Sequence, residues 1–452
     1  MELRKKVINT FFWSLLEFVS SKLLRLISNL ILTRLLFPDL FGLIAIIYVV
    51  ISTIVMLTDI GVGPYLIQNK KDNSAAVLNT AWTLQIIRGV VVWLVLCVLS
   101  SLLYYFQSLG FLSNASVYSH EDLPLLIVVA SLSMVISGFN SISIHSLSRD
   151  LNVRRIITIT FVSRLFSITS MLSIALYYPS IWVLIAGALI YSFLYMSASH
   201  VFLPSDHKKR LMLDKEVVNQ IIHFGKWVFL STMMTLAIMN GDRIILSGFI
   251  SSELLGLYAI AFLFIDAAKG LFSTINQRVW FPLLSNIKRE DKGKVKAAYY
   301  KIRLYQDMTA YIVAGVLFVI APLIIEILYD ERYSDAGYIF SILSLSISSA
   351  GLTTIESIFI SLGLSKYTSI INFSRAVFLW GGLYLVMDLV GFTSALWYIA
   401  LVHFMSIPIA LLLLSRCNIL VWYKEFWTLP FLGIGYLLGL VVKFSFEAVI
   451  VI

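Results

Sequence analysis

Apolar runs of about twenty residues or more follow one another along the whole chain, each closed by a short polar stretch. A run of that length can cross the hydrocarbon core of a bilayer as one helix. The pattern predicts helices over 9–36, 42–68, 76–106, 123–147, 156–178, 180–203, 221–248, 255–284, 298–328, 336–362, 367–388 and 393–415, with a further apolar segment over 426–442. Short strands of alternating polarity, the mark of a membrane barrel, are not found. The expected fold class is therefore an all-α integral membrane protein. The first apolar stretch is much longer than the core of a signal peptide and is expected to be retained as a helix.

Several spans carry polar residues at helical spacing. In the first, Ser14, Glu17, Ser21, Arg25 and Ser28 recur at steps of three and four and share one face, flanked by Lys22 and Asn29. In the eighth, Asp266, Lys269, Ser273, Asn276 and Gln277 form a second stripe, with Arg278 near its end. The seventh has Ser231, Thr235 and Asp242 on one face, followed by Arg243. The third has Gln85 and Arg88, and the tenth has Ser346, Ser349, Thr353 and Glu356. Asp59 precedes Gly61-Val62-Gly63-Pro64, a cluster expected to loosen the second helix and free backbone groups. An ionisable group at bilayer depth costs roughly 2.5–3.5 kcal/mol on insertion scales unless it is paired or faces water. The stripes are expected to line a cavity. The alternative is local pairing, such as Asp266 with Lys269 at i, i+3, or snorkelling of Arg164 and Arg375 to the surface.

The segment LTRLLFPDLFGLIAI at 32–46 returns in altered form as LSGFISSELLGLYAI at 246–260. Without gaps, Leu32 falls on Leu246, Asp39 on Glu253, Gly42 on Gly256 and Ile46 on Ile260. Both copies join the end of one apolar segment to the start of the next. A plan used twice in an apolar chain predicts two six-helix lobes over 1–203 and 221–415, a linker over 204–220 and an extra C-terminal segment over 416–452. The first helices of each lobe carry the most charge, so a transporter with its site between the lobes is the expectation.

Basic residues alternate with the spans. Arg4, Lys5 and Lys6, Lys70 and Lys71, Arg149, Arg154 and Arg155, Lys208 to Arg210, the run from Lys288 to Arg303, Lys366, Arg416 and Lys424 fall on one side. The opposite loops at 107–122, 177–180, 249–254 and 389–393 have no Lys or Arg. The positive-inside rule places the N-terminus in the cytoplasm. Twelve spans return the chain inside, and a thirteenth would leave the C-terminus outside. The net charge of +9 thus belongs to topology and anionic lipid, and nucleic acid is not an expected partner.

The chain has 452 residues, 59% hydrophobic and 13% charged, with mean hydropathy +0.90. A soluble protein of this size cannot bury so much apolar surface. Cys97 and Cys417 carry no disulfide or metal signal, the six histidines are scattered, and no phosphate-binding loop is present. No metal or cofactor is called for. Loops are too short to house the chemistry of a polysaccharide polymerase, so an enzyme is not expected.

RLLFPDLFGLIAI at 34–46 and TDIGVGPYLIQNK at 58–70 resemble the N-terminal signature of Wzx-type polysaccharide flippases, in the colanic-acid-exporter-like branch. RDLNVRR at 149–155, WVLIAGALI at 182–190, HFGKW at 223–227, NGDRIILSGFISSELLGLYAIAF at 240–262 and INQRVWFPLLSNIK at 275–288 follow in the same order. The resemblance implies the MOP superfamily fold shared with MATE exporters. It also implies passage of an undecaprenyl-diphosphate-linked oligosaccharide across a bacterial inner membrane by alternating access, with a polysaccharide polymerase and assembly proteins as partners. On that reading Lys22, Arg25, Arg88, Lys269 and Arg278 are the candidate substrate-binding cations, since Arg and Lys can replace water around a diphosphate. Asp59, Asp242, Asp266 and Glu356 are the candidate ion-coupling acids. The alternatives are a MATE-like cation or drug antiporter, favoured by a net-acidic cavity, and a membrane-embedded polymerase or glycosyltransferase.

The alternation of charge makes a direct prediction. Tags at 207–215 and 290–296 should be accessible from the cytoplasm, and a tag at 113–119 from outside, in a cysteine- or protease-accessibility assay. Access to 113–119 from the cytoplasm alone would break the helix assignment.

Overall fold

A computed structural model describes residues 2–68, 74–150, 152–204, 210–290 and 292–450. Lys70, Lys71, Lys208 and Lys209 of the basic band lie outside the described residues, as do the side chains of Ser14, Ser231 and Arg278. The described residues are helical almost throughout and divide into two compact units, Met1–Leu236 and Ala237–Ile452.

The first unit holds α1 (Glu2–Leu35), α2 (Pro38–Leu57), α3 (Val62–Gln68), α4 (Ala75–Ser108), α5 (Leu123–Gly138), α6 (Ser143–Arg149), α7 (Arg154–Ala175), α8 (Ile181–Val201) and most of α9 (Lys215–Met239). The second begins with α10 (Gly241–Ser247), α11 (Ser252–Ile275), α12 (Phe281–Glu290), α13 (Val295–Leu328), α14 (Asp335–Ser344) and α15 (Leu352–Ser361). It continues with α16 (Ser365–Val377), α17 (Leu383–Leu389), α18 (Phe392–Leu401), α19 (Ile407–Arg416), α20 (Trp422–Phe426) and α21 (Pro430–Ile450). Among the described residues, ten helical stretches are long and apolar enough to cross a membrane. The pair α5 and α6, bent by 64°, makes an eleventh.

The helix ends follow from local chemistry. Ser74 and Ser251 accept the backbone N–H of Val77 at 3.4 Å and of Leu254 at 3.3 Å, capping α4 and α11. Pro38 opens α2 at a position where its missing N–H costs nothing. The Gly/Pro cluster interrupts the second span as expected: α2 stops at Leu57 and α3 resumes at Val62, with Gly61 at φ +72°. That left-handed backbone suits glycine. The break between α5 and α6 was not predicted, because no proline marks it. Single π turns at Asn276–Trp280 and Phe378–Gly382 also leave no sequence signal.

The first part of α9 is held within the first unit. The backbone N–H groups of Arg210, Met212 and Asp214 donate to Asn79 Oδ1 at 3.2 Å, Thr83 Oγ1 at 3.0 Å and Thr80 Oγ1 at 3.1 Å, all on α4. Asp214 then caps α9 through Glu216 and Val217, and Tyr65 of α3 donates to Gln220 at 2.7 Å. Val62, Leu66, Val77, Leu78, Ala81, Ile142, Val217 and Ile221 bury one another beneath this segment.

The repeat seen in the sequence has a counterpart in each unit's local structure. Pro38 and Ser252 are equivalent and each is the first residue of its helix, so Gly42 and Gly256 are both fifth residues and both buried. Leu36 N donates to Leu32 O at 2.8 Å, and the equivalent Ile250 N to Leu246 O at 3.0 Å. Leu32, Thr33, Leu36, Leu43 and Ile46 are buried in one unit, and Leu246, Ser247, Ile250, Leu257 and Ile260 in the other. The same turn chemistry and the same inward face therefore recur.

The extra apolar segment is α21, and it lies against α13. Contact is close enough for backbones to touch. A Cβ built at Gly315 would lie 2.5 Å from Leu432 O and 2.7 Å from Tyr436 N. One at Gly439 would lie 2.9 Å from Val319 Cβ and 3.0 Å from Val316 O. Gly435 and Gly439 stand four residues apart on α21, the small-residue spacing that lets two membrane helices approach. A Cβ at Gly433 would meet open space. Gly315→Leu should therefore lower stability in detergent by roughly 1–3 kcal/mol through overpacking. Gly433→Ala should leave the thermal unfolding midpoint unchanged, and equal midpoints for the two variants would contradict the close α13–α21 packing.

Candidate functional site

The two helix breaks of the first unit create its polar site. Because α2 ends at Leu57, Asp59 N bonds to Met56 O and Val55 O lacks its usual helical donor. Arg88 of α4 supplies one, at 2.7 Å, and its second amino group faces Asp59 Oδ1 at 3.4 Å. Asp59 Oδ1 also accepts Gly61 N at 3.0 Å. Gln85, one turn from Arg88, donates to Gly138 O at 3.0 Å and Asn140 O at 3.1 Å, carbonyls freed by the α5–α6 break. Gln85, Arg88, Asn140, His145 and Tyr195 line a cavity of about 300 Å³. Asp59 and Arg88 are thus brought together, while His145 was passed over in the sequence because a lone histidine carries no pattern.

The other first-unit cations lie on a different face. Arg25 is exposed on α1 and acts electrostatically on Tyr48 of α2. The Lys22 ammonium sits 5.7 Å from the Phe18 ring. Arg164 of α7 stacks 5.5 Å from Tyr191 of α8, so it contacts an aromatic inside the bundle.

In the second unit, Asp242 lies in the first turn of α10 and is 5% exposed. The Tyr258 hydroxyl donates to its Oδ2, while Oδ1 has no hydrogen-bond partner among the described residues. The neighbouring Arg243 guanidinium stacks 4.1 Å from the Phe262 ring. Lys269 lies among the charges of Asp242, Asp266 and Arg375, and among the described residues it forms no ion pair within 4 Å. The local Asp266–Lys269 pair considered above is therefore not formed. Glu356 of α15 pairs with Arg375 of α16, whose Nε donates to Ser406 Oγ at 3.1 Å. Arg375 is held by a carboxylate and does not snorkel. Two of the candidate acids, Asp242 and Asp266, thus act on Lys269, Glu356 is held by Arg375, and the fourth, Asp59, belongs to the first unit. The backbone of Arg278 occupies the π turn after α11, and its side chain lies outside the described residues.

A third cluster was not foreseen. Arg303, counted above among the basic residues of one side of the membrane, is the ninth residue of α13 and is 6% exposed. Its Nε donates to Asp307 Oδ2 at 3.0 Å and its Nη1 to the Tyr299 hydroxyl at 2.8 Å. The same Nη1 pairs with Glu425 of α20. The Arg303–Asp307 spacing of four was legible, but Glu425, more than a hundred residues on, was not.

A sequence profile described as "Polysaccharide biosynthesis protein" matches residues 31–338. The lipopolysaccharide biosynthesis protein WzxC of Escherichia coli (strain K12) is 23% identical over 335 residues, 74% of this chain and 65% of that protein. The teichuronic acid biosynthesis protein TuaB of Bacillus subtilis (strain 168) is 21% identical over 294 residues, 64% of this chain and 57% of that protein. The chain therefore spans less than two thirds of either relative. Of solved structures, the lipid II flippase MurJ in an inward closed conformation has a TM-score of 0.67 at 13% identity, covering 98% of this chain and 100% of that one. An inward-facing multidrug resistance MATE family transporter of the MOP superfamily has 0.63 at 14% identity, covering 88% and 94%. These likenesses establish the fold.

The Glu356–Arg375 pair gives a test of how its charges are held. Removing one partner leaves a part-buried charge alone, so Glu356→Leu and Arg375→Met should each destabilise by about 3–5 kcal/mol, discounted for partial exposure. The double variant should recover most of the loss. Thermal unfolding of purified protein measures this, and additive losses would show that the two side chains act independently.

Proposed function

This chain belongs to the polysaccharide biosynthesis protein family, and from that membership we propose that it is a flippase. It moves an undecaprenyl-diphosphate-linked oligosaccharide from the inner to the outer leaflet of a bacterial inner membrane by alternating access, with its N-terminus in the cytoplasm. The observation that carries this reading is the charge carried along the spans of the first unit. Away from the helix ends, α1, α4 and α7 carry Lys22, Arg25, Arg88 and Arg164 against Glu17 and the Asp59 of the helix break. Four cations against two carboxylates favour an anionic headgroup over a cationic drug.

In the second unit Lys269 adds a cation that no carboxylate holds within 4 Å among the described residues. A lipid diphosphate brings the negative charge that offsets such a cation at depth, and its sugars need a polar path. Lys22, Arg25, Arg88, Lys269 and Arg278 take the diphosphate on this reading. Asp59, Asp242, Asp266 and Glu356 exchange a proton or Na⁺ for drive, since Asp242 Oδ1 already lacks a donor among the described residues.

The test is surface polysaccharide in the native host with this gene deleted and variants supplied in trans, with protein level checked in the membrane. Arg25→Ala and Lys269→Ala should each cut export about tenfold or more, the worth of a charge-assisted contact. Arg25→Lys should recover part of it, because charge returns without the two-pronged geometry. Normal export by the double alanine variant would remove both residues from headgroup binding. Loss of resistance to cationic drugs, with polysaccharide intact, would move the chain to the antiporter reading.

A further inference from the structure

The Arg303 cluster lies apart from every group given a role above, and its charges do not balance. Arg303, Asp307 and Glu425 are 6%, 1% and 4% exposed. One guanidinium, which keeps its proton, faces two carboxyl groups. The charge acting on Asp307 is that of Arg303, and those acting on Glu425 are Arg303 and Asp307. Lys424 of the same short helix sits 5.4 Å from the Tyr300 ring and is not among them.

The neutral donors are few. Tyr300 donates to Glu425 Oε1 at 2.9 Å, Thr428 reaches Asp307 Oδ2 at 3.4 Å, and the Tyr299 hydroxyl accepts from Arg303. Asp307 Oδ1 accepts no hydrogen bond among the described residues and lies against Gly351, where a Cβ would overlap it. Asp307, Glu425, Arg303 and Tyr311 share the wall of a cavity of about 100 Å³. The rest of that wall is mostly apolar, with Leu352, Ile355, Phe404, Ile407, Leu411 and Phe426.

We propose that Asp307 and Glu425 together hold one exchangeable proton, making this cluster a proton-binding site built by α13 and the C-terminal α20. Two buried carboxylates beside one guanidinium leave a net negative charge in surroundings that cannot solvate it. One positive charge must join them. An alkali ion would sit in a cavity of about 100 Å³ beside the like charge of Arg303, with only the oxygens of Asp307, Glu425, Tyr311 and Ser348 from side chains on its wall. A proton needs one oxygen, and Asp307 Oδ1 is open. The proton comes from water as an O–H bond forms on a carboxylate oxygen. The pair titrates as a unit through Arg303, with Tyr299, Tyr300 and Tyr311 as neutral neighbours. As a source of drive this site rests on the transport reading; as a proton site it does not.

The experiment is infrared difference spectroscopy of the full-length protein through a pH titration, reading the carbonyl stretch of protonated carboxyl groups. The wild type should show at neutral pH a band from one such group that belongs to this cluster. Asp307→Asn and Glu425→Gln should each lose that band, because the remaining carboxylate then balances Arg303. Arg303→Gln should keep it or add a second. If Asp307→Asn does not fold, the wild type and Glu425→Gln decide the question. A wild type without the band at neutral pH, or a band unchanged in both carboxyl variants, overturns the proposal. A band that behaves as stated in a protein that moves no lipid-linked sugar would leave the proton site standing and remove the flippase reading.

Discussion

Water is absent from the middle of a bilayer, so a backbone polar group freed there has to find its partner within the protein or at a water-filled cavity. That constraint explains the arrangement of this chain more fully than any single contact. Where α2 stops early, Val55 O is answered by Arg88. Where α5 bends into α6, the freed carbonyls of Gly138 and Asn140 are answered by Gln85. Breaks in membrane helices are tolerated where side chains re-satisfy the backbone, and here those same side chains line the cavity beside the break. The irregular backbone and the polar site of the first unit are one feature.

The charges obey the same constraint in three ways. Arg303 is held by Asp307, Glu425 and the Tyr299 hydroxyl, and Arg375 by Glu356 and Ser406. Arg164 and Arg243 rest on aromatic faces, which attract a cation without carrying a charge. Lys269 is surrounded by charges yet held by none within 4 Å among the described residues. The first two solutions fix a side chain. The third leaves a cation able to change partners, which is what a transient anionic headgroup requires.

Much of the fold was legible because the determinants are local. Apolar length marked the spans, and the Gly61–Pro64 cluster marked the break at Asp59. The repeat aligned Gly42 with Gly256, and the helices that carry them start four residues earlier, at the equivalent Pro38 and Ser252. The stripes picked out Asp242, Asp266, Glu356 and Lys269 as polar positions within their own spans, because helical spacing determines which residues of one helix share a face. What was missed depends on partners far along the chain. Arg303 looks like one more cation of the basic band, near the start of its helix, until Glu425 meets it, and Gly315 has no pattern until Gly435 and Gly439 lie against its helix. The bend after Gly138 has no local breaker. It persists because Gln85, from another helix, receives the freed carbonyls.

Movement of a lipid diphosphate between leaflets is the activity proposed for this chain. Purified protein in liposomes, given a fluorescent undecaprenyl-diphosphate-linked saccharide in one leaflet, measures it most directly by loss of signal to a membrane-impermeant quencher. The account predicts flipping far above protein-free liposomes, reduced by Lys269→Ala, with no acceleration of a cationic dye. Equal rates with and without protein, across imposed proton and Na⁺ gradients of either sign, would contradict it.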